Sequence, residues 1–242
     1  METKSHQKFR QRIEHAELYL QTVYCALQFT SRGLKRRGRN NNTLNINNCT
    51  NLSMNRLNQP LTEINRIFNY SKTNICKYYI VELYKAFDEY LRNSIKEIFL
   101  TSPTTVLGLS DKQINMTGAD IVAYGNYQNV CNKIIADIYR ELENMQSTKK
   151  LLDKYIKVFK LNIPNVLIDD ALSLLELRHL IIHNNSIIDL KYQTSFPASG
   201  LTNGSKVPTN YTFANSQQIK LVSLINYIDQ ESIRLGLMNQ IP

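Results

Sequence analysis

The chain is poor in turn-forming residues. Its 242 residues include only eight glycines and six prolines. Compact all-β folds need more of both at their many reversals, so this scarcity points to helices. Cysteine is sparse and scattered. Cys25, Cys49, Cys76 and Cys131 lie 24, 27 and 55 residues apart, with no C-x-x-C pair and no Cys/His cluster. That spacing speaks against a zinc knuckle or ribbon and predicts ordinary reduced thiols, mostly buried. No stretch approaches the ~18 consecutive apolar residues of a membrane-spanning helix, so no membrane partner is expected. Residues 1–12 are polar and charged, without the apolar stretch of a secretory signal, and a cytoplasmic location is the expectation. Acidic side chains are also in deficit. They number 20 against 29 Lys and Arg, which leaves a formal charge of +9. Such an excess favours polyanionic partners, nucleic acid or an acidic lipid face.

What is present fits a globular protein. Hydrophobic residues make up 43% and charged residues 20%, and the length suffices to bury a core without disulfide or metal staples. Phe9, Ile13, Ala16, Leu20, Val23 and Leu27 recur at steps of three and four, predicting an amphipathic helix over about 6–30 that ends near Gly33 and Gly38. Arg32, Lys35, Arg36, Arg37 and Arg39 then form a dense basic run able to contact RNA phosphates. Nine asparagines follow between residues 40 and 58, which reads as a long loop. Leu61, Ile64, Ile67 and Phe68 suggest a short helix after Pro60.

The strongest pattern runs over 71–100, with Ser71 as a candidate N-cap and Pro103 just beyond the stop. Further helices are expected over 129–145, after Ser147, over 166–183 and over 216–235. The segment 189–215 is irregular and could hold a hairpin near 187–192. The sum is a single all-α domain, an up-and-down helical bundle. Residues 1–60 supply the first helix and the basic, Asn-rich loop, and residues 61–242 supply the main bundle.

The segment that carries chemistry is Leu174–Tyr192, which holds two of the four histidines. Leu174, Leu177, Ile181 and Ile182 mark an apolar helix interrupted by Arg178, His179 and His183. Charged or titratable groups on so apolar a helix cost desolvation unless they meet water or a partner. His179 and His183, four apart, share a face. Arg178 and His183, five apart, diverge by about 140° and rise about 7.5 Å. They would converge if the helix unwound near His183 or if two copies met across a dimer axis. Asn184 and Asn185 are natural helix terminators and place His183 in the last turn.

Arg178-His179-Leu180-Ile181-Ile182-His183 fits R-x4-H. With the following Asn184 and the Ile188-Asp189-Leu190-Lys191-Tyr192 tail, the segment resembles the HEPN superfamily, above all its prokaryotic ribonucleases of defence and toxin systems. One departure is His179, where the family often carries Asn or Asp. The resemblance implies a metal-independent endoribonuclease with Arg178 and His183 as catalytic residues. His179 and Asn184 would support them or bind phosphate. It further implies a cyclic-phosphate product, no cofactor, a homodimer with the active site at its interface, and a toxin or phage-defence effector held by an antitoxin or other regulatory protein. His183 suits proton transfer because an ordinary imidazole titrates near ~6.5. Arg178 suits phosphate oxygens through its planar donor fork.

Two other functions compete. A non-catalytic HEPN-like module would bind RNA, nucleotide or protein with the same fold and charge. A metal-dependent hydrolase would use His179 and His183 as an i, i+4 ligand pair, although no H-E-x-x-H is present. Asp189 and Tyr192 read as turn and packing residues.

Overall fold

A computed structural model describes residues 2–37, 60, 63–111, 115–145 and 147–241. Among them the fold is all-α: α1 (Lys4–Arg37), α2 (Ile64–Thr101), α3 (Pro103–Leu107), α4 (Gly118–Ala123), α5 (Tyr127–Glu143), α6 (Thr148–Phe159), α7 (Asn165–His183), α8 (Leu190–Ser195) and α9 (Tyr211–Arg234). No described helix is long and apolar enough to cross a membrane. One contiguous core joins Phe9, Ile13 and Leu20 of α1 to buried residues of α2, α5, α6, α7 and α9. Each fully buried Leu, Ile or Phe contributes about 1.5–3 kcal/mol of burial free energy.

Helix starts follow local chemistry. Asn126, Ser147, Asp189 and Asn210 each accept a backbone N–H of the first turn they cap. Pro103 opens α3 and Pro164 precedes α7, positions where a missing N–H costs nothing.

Several expectations need correction. α1 does not stop at Gly33 but runs on to Arg37. A single helical glycine costs only about 1 kcal/mol, and Leu34, Lys35, Arg36 and Arg37 are good helix formers. From Arg32 to Arg37 the basic run is therefore helical backbone rather than loop. Arg39, Cys49 and the Asn-rich stretch lie outside the described residues. Ser71 is not an N-cap. The short helix after Pro60 and the long one merge into α2, and the Ser71 hydroxyl donates to the Ile67 carbonyl one turn back (3.1 Å). In place of a hairpin near 187–192 there is one isolated bridge, Ile187 to Lys206, followed directly by α8. Cys76 and Cys131 are buried as expected, but Cys25 is exposed.

The segment before and into α1 is clasped to α9, to α2 and to the residues after α9. Thr3 donates its N–H (3.1 Å) and its hydroxyl (2.5 Å) to the buried Asp229 of α9. Ser5 donates its N–H to Glu97 of α2 (3.0 Å), and the Ile241 N–H donates to the Glu2 carbonyl (3.0 Å). Two carboxylates from neighbouring helices thus meet the N–H groups that open α1, where negative charge is favoured.

Candidate functional site

α7 packs on α2, α6 and α9 and is apolar enough to be held firmly, with Ala171, Leu172, Leu174, Leu175, Leu177 and Leu180 buried. It stays helical through His183. Asn184 is its C-cap, with its N–H on the Leu180 carbonyl (3.0 Å) and its side-chain amide on the Ile187 carbonyl (2.7 Å). Asn185 (φ 50°) and Ser186 (φ 62°) take left-handed conformations, and the Ser186 N–H returns to the Leu180 carbonyl (2.9 Å). This is the helix stop the two asparagines predict. The helix does not unwind before His183, so that route to convergence of Arg178 and His183 is closed within one chain.

The unbroken helix sorts its polar residues onto two sides. Successive residues turn by about 100°, so Asp169, Leu172, Glu176, His179, Leu180 and His183 form one stripe. Arg178 lies on the far side with Ala171, Leu174 and Ile181, the side that packs into the bundle. Its guanidinium stacks over the Tyr84 ring of α2, 4.8 Å from the centroid. Among the described residues Arg178 forms no ion pair, with Glu176 or with any other carboxylate. The pair brought together is His179 and His183. Both are exposed, and their ring centroids are 5.0 Å apart at 42°. Ile182 beside His183, and Ile187 and Leu190 just after the helix, are exposed.

His179 also lines a pocket of about 320 Å³ between α7, the start of α6 and α8. Leu172, Leu180, Tyr192 and Phe196 give it an apolar lining. Glu176, Asp169 and Asp189 bring carboxylates, and Lys149 and Lys191 bring cations. Tyr192 is buried, and its hydroxyl donates to the Ser173 carbonyl (3.1 Å). Burial pushes its phenol up to about 12, and the nearby Glu176 carboxylate adds to the rise. Asp189 is engaged in capping α8, accepting the Tyr192 N–H (2.7 Å). Both residues thus act in a turn and in packing. The side chains of Lys149, Asp169, Glu176 and Lys191, by contrast, form no hydrogen bond or ion pair among the described residues.

Sequence reasoning found His179 but not its pocket. The stripe Asp169, Glu176, His179, His183 at steps of three, four and seven was the available signal on α7. Lys149, Lys191 and Phe196 join only through tertiary packing, and no spacing announces them. Within the basic run Arg32 is exposed, and the run lies at the far end of α1. No group of three or more His, Cys, Asp or Glu among the described residues is placed to hold a metal ion. Comparison with known proteins adds no relative: no family model, no curated protein and no solved structure matches the chain.

Proposed function

We propose that the protein is a metal-independent endoribonuclease whose proton-transfer groups are His179 and His183. The observation that carries this reading is the pair itself: two exposed imidazoles 5.0 Å apart at the end of a rigid helix, beside a polar pocket, in a chain of charge +9. Two imidazoles suffice for cleavage by transesterification. One accepts the proton of the RNA 2′-hydroxyl as that oxygen bonds to the adjacent phosphorus. The other donates a proton to the departing 5′-oxygen as the P–O5′ bond breaks. The products are a 2′,3′-cyclic phosphate and a 5′-hydroxyl. His179 therefore rises from the supporting role the family resemblance implies to a member of the acid–base pair.

Arg178 takes the phosphate-stabilising role only from a second copy of the chain, since within one chain it stacks on Tyr84 away from His183. The exposed Ile182, Ile187 and Leu190 supply an apolar rim for such a homodimer. An effector of this kind, a toxin or defence nuclease, would be restrained by a regulatory protein partner.

The test is cleavage of a defined RNA in EDTA by wild type, His183→Ala and His179→Ala. Wild type is expected to leave a cyclic phosphate, with each variant slowed at least ~100-fold, the usual scale of a lost acid or base. Cleavage that needs a metal, or that survives His183→Ala, overturns the reading. The stacking of Arg178 on Tyr84 favours a second reading, a non-catalytic RNA-binding module. That module would bind RNA equally with and without His183 and cleave none.

A further inference from the structure

We infer that the pocket beside His179 is a guanine-binding site that selects the base next to the cleaved phosphate; its place in cleavage rests on the ribonuclease reading, but its ligand does not. The pocket's volume of about 320 Å³ falls at the small end of the ~300–1,000 Å³ range typical of small-molecule sites. That suits one base with its sugar-phosphate at the mouth. Phe196 and the apolar side chains of Leu172 and Leu180 offer a surface for a base ring, the kind of contact that holds single-stranded nucleic acid.

Polarity selects the base. The wall is rich in acceptors, because an ionised carboxylate accepts and never donates. Glu176 lies on the central stripe of α7, close enough to Tyr192 to raise its phenol, and its carboxylate has no hydrogen bond or ion pair among the described residues. Guanine presents two adjacent donors, N1–H and the N2 amino group, which match the two oxygens of one carboxylate. Uracil presents one donor between two carbonyls, which a carboxylate repels. Adenine and cytosine present an amino group beside a bare ring nitrogen. Lys149 and Lys191, exposed and likewise without an ion pair among the described residues, are placed for the nucleotide's phosphate. His179 belongs to both places: it lines the pocket, and its ring lies 5.0 Å from that of His183. His179 and His183 lie one helical turn apart, so a nucleotide seated against His179 has the second imidazole in the next turn of α7.

The experiment is calorimetric titration of the full chain with 5′-GMP, AMP, CMP and UMP, repeated with Glu176→Gln and Lys191→Ala. The expected result is one GMP per chain and at least tenfold weaker binding of the other three. Glu176→Gln should abolish the preference for GMP, and Lys191→Ala should weaken all four nucleotides together. Equal binding of the four bases, no binding at all, or a preference untouched by Glu176→Gln overturns the proposal. Glu176→Asp, which keeps the charge but draws the carboxylate back by one methylene, gives a second test if Glu176→Gln fails to fold: it should weaken GMP more than the other three nucleotides, and an unchanged preference overturns the role given to Glu176. The two readings fail separately. GMP binding without RNA cleavage removes the nuclease and keeps the site. RNA cleavage with no nucleotide preference removes the site and keeps the nuclease.

Discussion

Asp229 is a carboxylate taken out of water to tie down the first turn of α1. Burial raises its pKa above the ordinary 3.8, partly offset by the hydrogen bonds from Thr3 and by nearby His6, while Glu97 adds to the rise. Below about pH 4 the residue is protonated in both the folded and unfolded chain, and its elevated pKa favours the fold. As pH rises, the unfolded chain ionises first, and the folded chain follows only at a desolvation cost. The contribution is therefore lost as pH climbs through the raised pKa. Asp229→Asn keeps an acceptor for the Thr3 N–H and carries no charge. Its melting temperature relative to wild type is expected to climb between about pH 4 and about pH 7. A difference that stays flat across that range, in paired thermal melts, would remove Asp229 as the source. The same desolvation logic separates Cys76, whose thiol burial pushes up to about 11, from the exposed Cys25. Thiol reagents should reach the second and spare the first.

Element ends were where sequence and structure parted. Gly33 looked like a terminator, yet it sits in α1, exposed, with nothing within 4 Å of where a Cβ would stand. Gly33→Ala is expected to stabilise the protein by about 0.5–1 kcal/mol, chiefly by restricting the unfolded chain. In a chain of this size that is a rise of roughly 1–4 °C in melting temperature. A fall would mean that the helix needs a glycine there. The interior of each helix was legible because burial repeats at three and four, as Phe9, Ile13 and Leu20 do. The caps at Ser147 and the stop at Asn184–Asn185 were legible because their chemistry is local. Ser71 misled because a serine hydroxyl serves a cap and an i−4 carbonyl equally well. The site was half legible. The divergence of Arg178 and His183 follows from helix geometry alone. That Arg178 would spend its charge on Tyr84, ninety-four positions earlier in the chain, does not.

At the scale of the molecule, a charge of +9 makes RNA affinity a function of ionic strength. If three or more phosphates are contacted, raising salt from about 50 to about 200 mM should weaken binding of a single-stranded RNA by about tenfold or more. A flat salt response would mean that the cations lie away from the RNA. The clasp between Glu2, Thr3, Gln240 and Ile241 bears on how the molecule can be handled. Because residues 2–3 and 240–241 lie side by side, a linker of a few residues joining these two segments would turn the stretch between them into a ring without moving a helix. Cutting that ring at the exposed turn between α4 and α5 would give a permutant in which α1 and α9 become neighbours in sequence as they are in space.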